Sequence, residues 1–143
     1  MSEPAPVILC GKTTQIGEGV IANLKPEYEV VHFIMSPEEG KVAIPAILRG
    51  EAPPNPSNDL GSKNYSRPPI AVLTGAGYDD QGVEVMRTAA KGLKPLPWLR
   101  PDTSKPAPPL GPEYGKALVE RIKVTLKEMA EKGELNEDKV VWY

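Results

Sequence analysis

Cysteine and histidine are almost missing from this chain, which carries one of each, Cys10 and His32, in 143 residues. A lone cysteine cannot build an internal disulfide framework, and it fits a reducing compartment, for which the cytosol is the default expectation. A lone histidine with no second histidine and no cysteine pair gives no metal-binding pattern. Charge of either sign is not in excess: 17 basic residues against 19 acidic ones leave a net charge of -2, without the basic patch that nucleic acid requires. No apolar run reaches the roughly 18–20 residues of a membrane span. Residues 1–6 are acidic and proline-bearing, unlike a signal or transit peptide.

What is abundant is proline, 17 residues in all, clustered in 52–69 and 95–112. Proline has no amide hydrogen and a fixed φ, so these stretches are neither helix interior nor central strand. They read as two proline-rich loops, 52–69 and 100–112, inside a single domain spanning 1–143. Neither flank alone is long enough to make a core, whereas a chain that is 40% hydrophobic supports one core as a whole.

Residues 7–10 are an apolar run ending at Gly11, after which Ile16, Val20 and Leu24 recur at helical spacing: strand, turn, helix. Pro26 stops the helix and a second strand follows over 29–35. Ser36-Pro37-Glu38-Glu39 is a helix start with a serine cap, proline at the first position and glutamate three after the cap. That helix is expected to carry Val42 inward and to be kinked or divided at Pro45. A third strand over 70–74 ends in the turn Gly75-Ala76-Gly77. Asp79 or Asp80 then caps a helix with Val83, Met86 and Ala90 inward, closed by Gly92. Residues 95–99 read as a fourth, edge-like strand. Tyr114, Leu118, Ile122, Leu126 and Met129 form the apolar stripe of a long amphipathic helix ending at Gly133. Residues 139–143 are apolar and either pair as a short strand or dock on a neighbour. Alternation of strands and helices predicts a three-layer α/β sandwich with a small, about four-stranded, mainly parallel sheet. Ligands of such sheets bind beyond the carboxyl ends of the strands, where both glycine turns lie.

Gly11-Lys12-Thr13 is not a nucleotide-binding P-loop, which needs a glycine where Pro6 stands. Cys10-Gly11-Lys12-Thr13-Thr14-Gln15-Ile16-Gly17 resembles the T-G-x-x-x-G-I-G turn of short-chain dehydrogenases, with glutamine in place of the middle glycine. Val72-Leu73-Thr74-Gly75-Ala76-Gly77 resembles that family's N-N-A-G strand end, and Trp98-Leu99-Arg100-Pro101-Asp102-Thr103 its R-P-G segment. The resemblance is to a truncated, degenerate member of that NAD(P)-binding, Rossmann-like group. It implies a cofactor held by Gly11, Lys12, Thr13, Thr14, Gln15, Ile16 and Ser36, with its phosphates at the helix N-terminus. Gly75, Ala76 and Gly77 would lie near the adenosine ribose. The second strand ends at Met35-Ser36 without the acid that binds a ribose 2′-hydroxyl. With Lys12 at hand, that leans away from NAD, toward NADP or toward no dinucleotide. The family's catalytic Tyr-x-x-x-Lys is absent: Pro69, Gly82 and Leu118 follow Tyr65, Tyr78 and Tyr114 at that spacing.

Each of these features also has a plain structural explanation. Glycines after strands serve turns and packing, Cys10 reads as a small core residue, and one aspartate of Asp79-Asp80 is a helix cap. Three functions follow. One is a non-catalytic or weakly catalytic domain binding a nucleotide or other phosphate-bearing small molecule. Another is a small enzyme working with Cys10, Lys12 or Asp79. The third is an interaction protein, a homodimer formed through the proline-rich loops and the aromatic segment with Trp142 and Tyr143.

Overall fold

A computed structural model describes residues 3–109 and 111–143. Met1 and Ser2 at the start of the segment 1–6, and Leu110 within the second proline-rich loop, lie outside the described residues. The elements run β1 (Ala5–Cys10), α1 (Thr14–Leu24), β2 (Tyr28–Ile34), α2 (Pro37–Leu48), β3 (Val72–Thr74), α3 (Asp80–Ala89), β4 (Trp98–Arg100), α4 (Pro112–Lys132) and β5 (Val140–Trp142).

The sheet has five strands rather than about four, and every pairing is parallel in the order β2-β1-β3-β4-β5. The fifth strand is the apolar segment near residue 140, which pairs with β4 in register Trp98↔Val140 and Leu99↔Val141. This places β4 inside the sheet, not at its edge. Its prolines bound the strand without interrupting it: Pro97 accepts the Val72 amide through its carbonyl, at 3.0 Å, and Pro101 follows the last paired residue.

Alternation along β1 decides the layers. Val7 and Leu9 belong to one core with α1 and α4, while Ile8 and Cys10 belong to a second core with α2 and α3. Helices α1 and α4 pack together on one face, α2 and α3 on the other, which makes three layers. Helix α4 buries Leu118, Val119, Ile122, Leu126 and Met129 as its spacing requires, and ends at Gly133 with φ +72.

Two expectations for α2, a division at Pro45 and an inward Val42, are corrected. The helix runs undivided through Pro45 to Leu48; Pro45 stands in its last turn, where only the bond to the Lys41 carbonyl is lost. Val42 is 49% exposed, because Gly40, Ala43, Ile44 and Ile47 form the inward stripe. Ser36 caps α2 and Asp79 caps α3 as the sequence indicates, and Thr13 caps α1 as well; each accepts an amide three residues on.

The loop between α2 and β3 is laid along the free edge of β2. Ser62 and Lys63 donate their amides to the Val30 and Val31 carbonyls at 2.8 and 2.9 Å, and Asn58 donates its side-chain amide to the Phe33 carbonyl. An edge strand is thereby covered by irregular backbone. Gly61 is required there, since a Cβ would lie 2.9 Å from the Val31 carbonyl group and its φ is +92. Among the described residues no helix is long and apolar enough to cross a membrane.

Candidate functional site

Because the strands are all parallel, their carboxyl ends share one edge, and the order of travel across the sheet reverses between β1 and β3. Doubly wound sheets open a crevice at that point, and the order 2-1-3-4-5 puts it between these two strands. A cavity of about 390 Å³ lies there, at the small end of the ~300–1,000 Å³ typical of small-molecule sites. Its buried lining is apolar: Leu9 from β1, Val20 from α1, Leu118 and Ile122 from α4. The more exposed lining comes from the two glycine turns, with Lys12, Thr13 and Ile16 on one side and Gly75, Ala76 and Gly77 on the other.

Tyrosines complete the enclosure. Tyr143 is buried and donates its hydroxyl to the Thr74 carbonyl at 2.8 Å, while the Thr74 hydroxyl donates to the Leu99 carbonyl at 2.9 Å. Removal from water raises the Tyr143 phenol above its ordinary range. Tyr114, half-buried at the start of α4, lies on the same lining. Tyr78 does not line the cavity but ties its two rims together. Its hydroxyl lies 3.0 Å from the Gly11 carbonyl and 3.1 Å from the Ile34 carbonyl, and the Lys12 ammonium sits 4.5 Å above its ring. Gly77 leaves room for the Lys12 stem, since a Cβ would stand 2.7 Å from Lys12 Cγ.

The residues singled out from the sequence separate into three groups. Lys12, Thr13, Ile16, Gly75, Ala76 and Gly77 meet at the cavity. Gln15 lines an adjoining groove with Gly111, Pro112 and Gly115, where the N-terminal ends of α1 and α4 come together; this groove shares Thr13 and Ile16 with the cavity. Gly11, Thr14 and Ser36 are not on the cavity lining. Thr14 is the exposed first residue of α1. Ser36 accepts the Glu39 amide at 3.1 Å as the cap of α2.

Gly11 and Gly17 have a different partner. A Cβ on Gly11 would lie 2.9 Å from the Phe33 ring and one on Gly17 2.7 Å from it, and the Gly11 amide donates to the Ile34 carbonyl at 2.9 Å. The space beside the outer glycines of the turn is thus filled by an aromatic ring from β2, and Thr13–Ile16 lie between them at the start of α1. The first-turn amides of α1 have no intrahelical acceptors, and Thr13 Oγ1 reaches only one of them, Ile16 N, at 3.4 Å.

Cys10 touches the lining, yet its side chain is fully buried, and desolvation raises the thiol well above its ordinary value. A thiol held protonated is a poor nucleophile. The tyrosines, Thr74 and Phe33 had no place among the residues read as a site from the sequence. One signal for Tyr114 was present: with Leu118 and Ile122 it repeats every four residues, the spacing of a single helix face.

No protein-family profile and no solved structure matches the chain. It is 39% identical over 139 residues to Kojic acid related protein 6 of Aspergillus oryzae, a match covering 94% of this chain and 84% of the relative. The chain therefore belongs to the family of Kojic acid related protein 6.

Proposed function

We propose that this domain binds a small molecule with an apolar or planar body and a phosphate or other anionic group. The observation that carries the reading is the cavity between β1 and β3, lined by both glycine turns. The body occupies the apolar lining formed by Leu9, Val20, Leu118 and Ile122. The anionic group sits at the α1 N-terminus, where free amides, the helix dipole and Lys12 favour negative charge. The volume suits a compact ligand, or one end of a larger one such as NADP. Binding without catalysis fits the lack of a Tyr-x-x-x-Lys and the buried state of Cys10.

Thermal melting in the presence of NADP, NAD, FMN, ATP, inorganic phosphate and kojic acid tests this; the last is included because the relative's name mentions it. A ligand at 100 times its dissociation constant adds about 2.7 kcal/mol, or roughly 5–10 °C for a domain of this size. Lys12→Ala should shrink the shift, and a panel without any shift overturns the reading.

A further inference from the structure

We infer that a second hollow on the same sheet edge, built around Arg100 and Trp142, is a recognition site for a planar organic carboxylate. The hollow has a volume of about 360 Å³ and is lined by Ala76, Tyr78, Asp79, Arg100, Thr103 and Trp142, among others. It meets the central cavity at Ala76, which lines both.

Arg100 ends β4 and its side chain is largely buried, with 12% exposure. Its guanidinium lies 4.6 Å from the Trp142 ring centre, the geometry of a cation resting on an aromatic face. One terminal nitrogen donates to the Tyr78 carbonyl at 3.1 Å, which fixes the plane of the group. The Nε–H is buried and has no acceptor among the described residues, which leaves the terminal nitrogens as the donors an incoming oxyanion can reach.

The other terminal nitrogen donates to Asp80 Oδ1 at 2.6 Å, and the Asp80 side chain is 91% exposed. An ion pair whose acidic half stands in water is weak and easily exchanged. Asp80 therefore holds the position that a ligand carboxylate takes when the aspartate swings out. Asp79 does not compete, because its carboxylate accepts the Gly82 amide at 2.7 Å as the α3 cap. Two aspartates beside the hollow disfavour a dianion, so a monoanionic carboxylate is preferred over phosphate. The exposed indole of Trp142, 52% accessible, supplies a face on which a flat ligand stacks.

The protein contains two tryptophans, Trp98 and Trp142. Trp98 is buried in the core, so Trp142 is the fluorescent reporter of the hollow. Titration with benzoate should change the tryptophan emission saturably. Benzyl alcohol, of the same shape without charge, should not, and inorganic phosphate should act more weakly than benzoate. Asp80→Asn should tighten benzoate binding by up to about fivefold. Arg100→Lys should weaken it at least ~10-fold, since the forked donor is lost while the charge is kept. Trp142→Phe should abolish the emission change while leaving the fold intact by circular dichroism. Equal responses to benzoate and benzyl alcohol overturn the assignment. So does benzoate binding that Asp80→Asn weakens or leaves unchanged, a result that stands even where Arg100→Lys fails to fold.

Discussion

Phe33 is the residue on which the glycine turn hangs. Its ring touches the space above both Gly11 and Gly17, so the two glycines that carry the likeness to a dehydrogenase turn are each explained by packing. Alanine at position 17 would gain about 1 kcal/mol in helix propensity but meet the ring at 2.7 Å, and such overpacking costs ~1–3 kcal/mol. Gly17→Ala should therefore destabilise the protein in urea unfolding. In a Phe33→Leu background the same change should become neutral or stabilising. A loss of equal size in both backgrounds would show that Phe33 is not the reason for the glycine. His32 gives a pH prediction at the same scale. Its Nδ1 shares a 2.9 Å hydrogen bond with the Tyr65 hydroxyl, and its Nε2 is buried with no partner among the described residues. Burial holds its pKa below 6.5; Glu39 opposes this and Lys63 adds to it. The unfolded chain, near its ordinary pKa of about 6.5, takes up the proton first. The His32 contribution is thus level above that pH, and stability falls as pH drops through it toward the folded value. His32→Gln should remove this part of the acid loss, read as the difference between the two proteins from about pH 7 to 5.

At the scale of elements, the short strand β5 does more than extend the sheet. It delivers Tyr143 under the end of β3, where the phenol meets Thr74 and lines the cavity. Tyr143→Phe leaves the buried Thr74 carbonyl without that donor and should cost about 1–2 kcal/mol. Tyr143→Ala should cost ~3–5 kcal/mol, as truncation of a buried aromatic does. Differential unfolding of the two variants checks both figures, and a near-neutral Tyr143→Ala would contradict the packing described. Elements were the most legible level of the sequence. The strand-turn-helix units, the caps at Ser36 and Asp79 and the stripe of α4 all follow from local spacing and cap chemistry. What local spacing does not carry is partnership. Val140–Trp142 is only three residues long, and the prolines around β4 hide an interior strand. The Phe33 contact joins β2 to the turn after β1 and has no trace in the spacing of either.

For the whole molecule, the parallel sheet gathers the ends of all five strands on one edge, and the order β2-β1-β3-β4-β5 opens it between β1 and β3. The sequence places both glycine turns on that edge, and six of its ten candidate residues line the cavity found there. Ser36 falls outside because its own capping pattern already commits it to α2. The hollow at Arg100 was not legible, since it needs β4 and β5 side by side and the Arg100–Trp142 contact is made only in the folded sheet. The central claim concerns the edge between the two turns, and amide chemical-shift mapping reads it residue by residue. Titration with NADP, FMN and kojic acid in turn should perturb amides of Lys12–Ile16 and Gly75–Gly77 with one saturable dependence for at least one of them, and Lys12→Ala should weaken that response. A bound ligand that leaves both turns unperturbed, or a flat response to all three, would contradict the account.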